Sequence, residues 1–214
     1  MSIIRIKICG IASIRDMEFL VQAGADAMGL VFVPNTPRYL SISQAEKIIQ
    51  ACPPFLTKVG LFVNSEEKIV WEHLEKLSLD ALQFHGSEDY ETNDFCKKFK
   101  KPFIKTLKIK AGQKIQEIEK SCEKYPDASA ILLDTDHLKL SGGTGVSFDW
   151  GLFPKDKNKD QKFILAGGLN PENINLALSL TEPYAVDVSS GVESSPGIKD
   201  LEKIKLFCER VRSK

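Results

Sequence analysis

Short apolar runs alternate with amphipathic segments along the whole chain, and this alternation constrains the fold more than any other feature. The runs are Ile3–Cys9, Ala27–Val33, Thr57–Val63, Ala81–His85, Phe103–Leu107, Ala130–Asp134, Phe163–Ala166 and Ala185–Ser189. Their starts recur about every 20 to 35 residues, the length that a strand and its crossover helix require. Eight such units in 214 residues predict an α/β fold, a single-domain (β/α)8 TIM barrel with a parallel eight-stranded core spanning residues 1–214. An open doubly wound sheet that binds a dinucleotide would want G-x-G-x-x-G at the first strand–helix turn. Cys9-Gly10-Ile11-Ala12-Ser13 does not supply it.

Helix starts are marked in the sequence. Ser13 precedes a face of Ile14, Met17 and Val21, with Asp16 three residues on and Gly24 beyond the end. Ser43 with Glu46 reads as a capping box, and Asn170-Pro171 as the opening of the helix that carries Ile174, Ala177 and Leu178. The last helix is expected at about Asp200–Arg212. Lys155–Lys162 (KDKNKDQK) reads as a solvated connection.

Composition removes several function classes. Lysine and arginine total 29 against 29 aspartates and glutamates, so the basic excess of a nucleic-acid binder is missing. No apolar run approaches the ~20 residues of a membrane span, and MSIIRIKICG lacks the layout of a secretory signal. The five cysteines contain no C-x-x-C pair, which reads as free thiols in a reducing compartment and places the chain in the cytoplasm. The three histidines show no metal-ligand spacing, and neither a metal nor another cofactor is expected.

Strand parity sorts side chains between the barrel interior and the helix layer. With Ile4, Ile6 and Ile8 toward the helices, Arg5, Lys7 and Cys9 face inward. By the same rule Gln83, His85, Lys105, Asp134, Asp187 and Ser189 do so too. Inward charge is costly unless paired or open to solvent, and most of these residues lie at carboxyl strand ends, where barrel enzymes build their sites. Each also has a plainer reading. Cys9 fits a small buried hydrophobe, Lys7 and Asp187 a structural ion pair between adjoining strands, Asp134 a turn cap, and His85 a core histidine.

Glycine turns supply a substrate clue. Gly167-Gly168 follows strand 7 and Ser190-Gly191 follows strand 8, the two loops with which barrels often cradle phosphate. Gly142–Gly145 after strand 6 reads as a lid or a connector. Arg38, in the loop after strand 2, reads as a carboxylate clamp or an ordinary surface arginine.

Taken together, several blocks resemble one family. Lys7-Ile8-Cys9-Gly10, GLVFVPNTPRYLS (Gly29–Ser41), LQFHG (Leu82–Gly86), LLDT with GGTG and FDW (Leu132–Trp150), ILAGGLNPENI (Ile164–Ile174) and VDVSSGVESSPGIKD (Val186–Asp200) are similar to those of phosphoribosylanthranilate isomerase. The likeness runs in order from the first strand to the last helix. Ala12-Ser13, where relatives often carry a polar residue first, is a mild departure. The resemblance implies a metal-free Amadori rearrangement in tryptophan biosynthesis, with Cys9 as general base and Asp134 as general acid. Arg38 would bind the anthranilate carboxylate, Lys7, His85 and Asp187 would lie against the substrate, and Gly167, Gly168, Ser190 and Gly191 would hold its phosphate. From the residues themselves, Lys7 is expected to favour the Cys9 thiolate. The partner implied is a small-molecule substrate, with no nucleic acid, membrane or obligate protein partner. The rival readings are another phosphosugar barrel, such as the histidine-pathway isomerase or indole-glycerol-phosphate synthase, and a catalytically silent phosphosugar sensor.

Overall fold

A computed structural model of the chain describes residues 3–110, 112–135, 150–154 and 161–213. Eight parallel strands close into a barrel in sequence order: β1 (Arg5–Cys9), β2 (Ala27–Val31), β3 (Thr57–Phe62), β4 (Ala81–Phe84), β5 (Phe103–Ile109), β6 (Ala130–Thr135), β7 (Phe163–Leu165) and β8 (Ala185–Val188). Closure pairs β8 with β1 and sets Lys7 opposite Asp187. Around the barrel lie α1 (Ile14–Gln22), α2 (Ile42–Ala51), α3 (Glu67–Lys76), α4 (Asn93–Lys97), α5 (Ile115–Glu123), α6 (Ile174–Leu180) and α7 (Leu201–Arg212). A short hairpin, β9 (Glu193–Ser195) and β10 (Ile198–Lys199), follows β8. Among the described residues no helix is long and apolar enough to cross a membrane.

Strand periodicity produces two apolar layers. Ile6, Ile8, Met28, Leu30, Phe62 and Phe84 face the helices and join their buried stripes into one large cluster. Ala130, Leu132, Ile164, Ala166 and Ala185, with Ile104 beside them, fill the barrel interior. The α1 signals hold: the Ser13 side chain accepts the Asp16 N–H at 3.0 Å, and Gly24 takes φ of 78° past the helix end.

Two helix starts differ from expectation. Before α2 the capping box is Ser41 with Gln44, because Ile42 already takes the first helical position and Ser43 lies inside the helix. Before α6, Asn170 and Asn173 bond each other reciprocally at 2.9 Å, and this turn delays the helix to Ile174. Parity also fails at two lysine and arginine positions. Phe103, Leu107 and Ile109 are buried in the helix layer and set the phase of β5, so Lys105 points outward with them while Ile104 and Thr106 face in. Arg5 lies at the amino-terminal rim, where it bonds Asp26 at 2.9 Å and stays half exposed. The Gly142–Gly145 loop and most of Lys155–Lys162 lie outside the described residues.

Asp26 ties the amino-terminal rim together. Its carboxylate accepts the Ile6 N–H at 2.7 Å and bonds to Arg5 and to Arg212 of the last helix. Burial alone would raise this carboxyl, but the Ile6 amide and the two arginines outweigh it and hold its pKa below the ordinary value. A carboxyl depressed on folding contributes stability above its unfolded pKa of about 3.9 and loses it as pH falls through the folded value. Asp26→Asn is therefore expected to cost about 1–2 kcal/mol at neutral pH. It should also flatten the decline in stability below about pH 4. Urea unfolding measured across pH for both proteins checks this; parallel curves would count against the role given to Asp26.

Candidate active site

The carboxyl ends of the strands surround a cavity of about 310 Å³. Cys9 reaches it from the end of β1 and Asp134 from β6, on strands separated around the ring by β7 and β8. Arg38, His85, Asp187, Gly167, Gly168 and Ser190 line the same space, and Val31, Val33, Leu61 and Val63 form an apolar wall. Of the residues singled out from sequence, Lys7 and Gly191 stand behind this lining. Gly191 is there because an added Cβ would collide with the Leu169 carbonyl, so the β8 turn can pack against the β7 turn only with glycine. Gly167 and Gly168 adopt φ of 83° and 63°, left-handed values that suit a concave, anion-facing backbone.

Lys7 and Asp187 form a buried ion pair at 2.8 Å. Burial works against the Lys7 ammonium, but attraction to Asp187 and to the neighbouring Cys9 sulfur outweighs it and raises its pKa. The structural-pair reading of these two residues thus holds, and the pair also sits directly beside the cavity. For the Cys9 thiol, burial acts the other way and pushes the pKa upward. Lys7, and more weakly Lys199, pull it down without offsetting burial. Lys7 therefore acts in the direction expected of it, yet burial wins and the Cys9 pKa stands above its ordinary value.

Asp134 meets His85, whose Nε2 lies 3.2 Å from Asp134 Oδ2. Gln83 Nε2 stands 3.4 Å from His85 Nδ1 and donates to Thr106 Oγ1 at 3.2 Å. An amide donor facing Nδ1 suits the tautomer whose proton sits on Nε2, the nitrogen that faces the carboxylate. Asp187 Oδ1 and Gln83 Oε1 are buried and lack a hydrogen-bond partner among the described residues, leaving acceptors beside the cavity.

Arg38 is held by a residue that the sequence reading did not single out. Glu193 accepts Arg38 Nε at 2.7 Å and Nη2 at 2.5 Å, and also the Lys199 ammonium at 2.8 Å and the Gly197 N–H at 3.1 Å. Burial would raise the Glu193 carboxyl, but Arg38 and Lys199 hold it below its ordinary value. Its only signal in the chain is an acidic residue directly after the glycine turn of β8. Among the described residues no three of His, Cys, Asp and Glu converge as metal ligands.

The model of the N-(5'phosphoribosyl)anthranilate (PRA) isomerase family matches residues 6–210. The chain belongs to that family. It is accordingly an isomerase, and this family's relatives resemble it end to end. The N-(5'-phosphoribosyl)anthranilate isomerase of Pseudomonas fluorescens strain Pf0-1 is 50% identical over 99% of this chain and 100% of its own length. That of Pseudomonas aeruginosa strain LESB58 is 46% identical over 100% and 98%. Among solved structures, phosphoribosyl anthranilate isomerase from Thermotoga maritima superposes with TM-score 0.86 at 38% identity, covering 99% of this chain and 100% of that one. An isomerase of the family in complex with reduced 1-(o-carboxyphenylamino)-1-deoxyribulose 5-phosphate superposes with TM-score 0.84 at 37% identity, over 99% and 100%.

Proposed function

We propose that this chain converts N-(5′-phosphoribosyl)anthranilate to 1-(2-carboxyphenylamino)-1-deoxyribulose 5-phosphate in the cytoplasm, as a step of tryptophan biosynthesis that needs no metal. The observation that carries the reading is the meeting of Cys9 and Asp134, from well-separated strands, in one cavity with an arginine and a glycine turn at its edges. A substrate with a carboxylate at one end and a phosphate at the other fits that distribution, and the apolar wall of Val31, Val33, Leu61 and Val63 suits an aromatic ring.

Asp134, protonated in the reactive complex, gives its proton to the furanose ring oxygen as the C1′–O bond breaks. The nitrogen lone pair forms a C1′=N iminium, which acidifies C2′–H. The Cys9 thiolate takes that proton, the C2′–H electron pair moves into C1′=C2′, and the iminium becomes a neutral enolamine. Tautomerisation moves the enol hydroxyl proton to C1′ and leaves the C2′ ketone. His85 Nε2 orients the Asp134 carboxyl, and Asp187 with Lys7 orders the side of the cavity where the thiol stands. The phosphate lies on the Gly167-Gly168 and Ser190-Gly191 turns.

Glu193 engages Nε and Nη2 of Arg38, leaving the Nη1 donors for the anthranilate carboxylate. A remote clamp of this kind binds ground and transition states alike, so Arg38→Ala should raise KM about 10- to 100-fold with kcat nearly unchanged. An intact KM with a collapsed kcat would move Arg38 into the chemistry. The function as a whole is tested by mixing the protein with freshly prepared phosphoribosylanthranilate and following loss of its fluorescence. Decay no faster than the spontaneous rate would overturn the assignment.

A further inference from the structure

Outside the cavity, in the helix layer, Lys105 Nζ and Glu91 Oε2 form an ion pair at 2.6 Å with both side chains fully buried. A pair this deep recovers little net stability, because desolvating two charges offsets most of their attraction, and apolar residues of like volume often serve a core as well. What the pair does supply is direction, and its remaining bonds go to the backbone of two adjoining loops, most of them beside His85. Lys105 Nζ donates to the carbonyls of Gly86 at 3.0 Å and Phe84 at 3.4 Å, the two residues that flank His85. Glu91 Oε2 accepts the Gly86 N–H at 2.6 Å, and Oε1 accepts the Asn64 N–H at 2.7 Å. Asn64 holds a left-handed φ of 48°, and its Oδ1 accepts the Ser87 N–H at 2.8 Å. The His85 N–H is fixed to Phe62 O at 2.9 Å. The loops after β3 and β4, which carry Val63 and His85 to the cavity, are thus gripped by one carboxylate and one ammonium that do not themselves line it.

We propose that Glu91 and Lys105 are positioning residues for His85: they immobilise the peptide groups on both sides of it, so that its imidazole stays within bonding distance of Asp134. The inference deepens the reading of His85 as the group that orients the acid, and rests on it. Orientation errors of about 1 Å at a reacting group commonly cost large factors in rate, whereas substrate affinity rests on Arg38 and the glycine turns at other edges of the cavity.

Glu91→Asp keeps the charge pair and shortens the reach of the carboxylate by one methylene. Glu91→Leu combined with Lys105→Met removes both charges without stranding either. With folding verified by thermal unfolding, each is expected to lower kcat about tenfold or more while KM stays within about twofold. Adding His85→Ala to Glu91→Asp should turn over no more slowly than His85→Ala alone, since the anchor acts only through the ring. A slow His85→Ala enzyme beside a Glu91→Asp enzyme of undiminished kcat overturns the anchoring and leaves His85 its role; so do losses that multiply in the double variant. Full turnover by His85→Ala overturns the reading of His85 and the anchoring with it.

Discussion

Cys9→Ala is expected to lower kcat by a factor of about 10² to 10⁴, the contribution of one general base, and Asp134→Asn by a similar factor for the acid. Both variants should still bind reduced 1-(o-carboxyphenylamino)-1-deoxyribulose 5-phosphate, because the groups proposed to hold its carboxylate and phosphate, Arg38 and the two glycine turns, are untouched. The pH dependence has a defined sign. In the proposed mechanism the base is the Cys9 thiolate, and burial raises its pKa despite Lys7 and Lys199, so kcat/KM should climb with pH toward and beyond the ordinary thiol value of about 8.5. Steady-state kinetics across pH, with calorimetric binding of the reduced product, separates lost chemistry from lost binding. Near-wild-type turnover by either variant would remove that residue from the mechanism, and a flat basic limb would remove the thiolate.

Lys7→Met should be costly in two ways. It leaves the Asp187 carboxylate, buried and bonded to Lys7 at 2.8 Å, without its counter-charge, and breaking a buried pair from one side costs about 3–5 kcal/mol. It also takes away the attraction that draws the Cys9 thiol downward, so the thiol moves further up and the rising limb of kcat/KM shifts to higher pH. Adding Asp187→Leu removes the stranded charge and is expected to recover most of the stability. The same addition takes away the Asp187 charge, which raises the thiol, so the Cys9 shift should be partly relieved. Urea unfolding reads the first effect, and ultraviolet titration of the thiolate reads the second. An unchanged Cys9 titration in Lys7→Met would sever the link between ammonium and thiol, whatever the stability did.

Much of the site is legible in the chain because its signals are local. Alternation in Ile4, Ile6 and Ile8 turns Lys7 and Cys9 away from the helix layer. Gly167-Gly168 permits left-handed backbone wherever it occurs, and the strand count places that turn at the carboxyl rim. The same logic misled at Lys105, where three large apolar neighbours fixed the phase of β5 and carried the lysine into the helix layer. It misled at Ser43 too, since Ser41 offered an equally good box two residues earlier.

The sequence by itself determined the order of strands and helices and, Lys105 and Arg5 apart, which polar residues leave the helix layer, for these follow from periodicities of two and about 3.6 residues, while the count of eight units pointed to a closed barrel. Only the tertiary structure decided which charge meets which: Arg38 with Glu193, 155 residues apart, Lys105 with Glu91, and His85 with Asp134. It alone decided that the Cys9 thiol is pushed up rather than down. Periodicity acts between neighbours along the chain, whereas desolvation and ion pairing depend on what folding brings alongside.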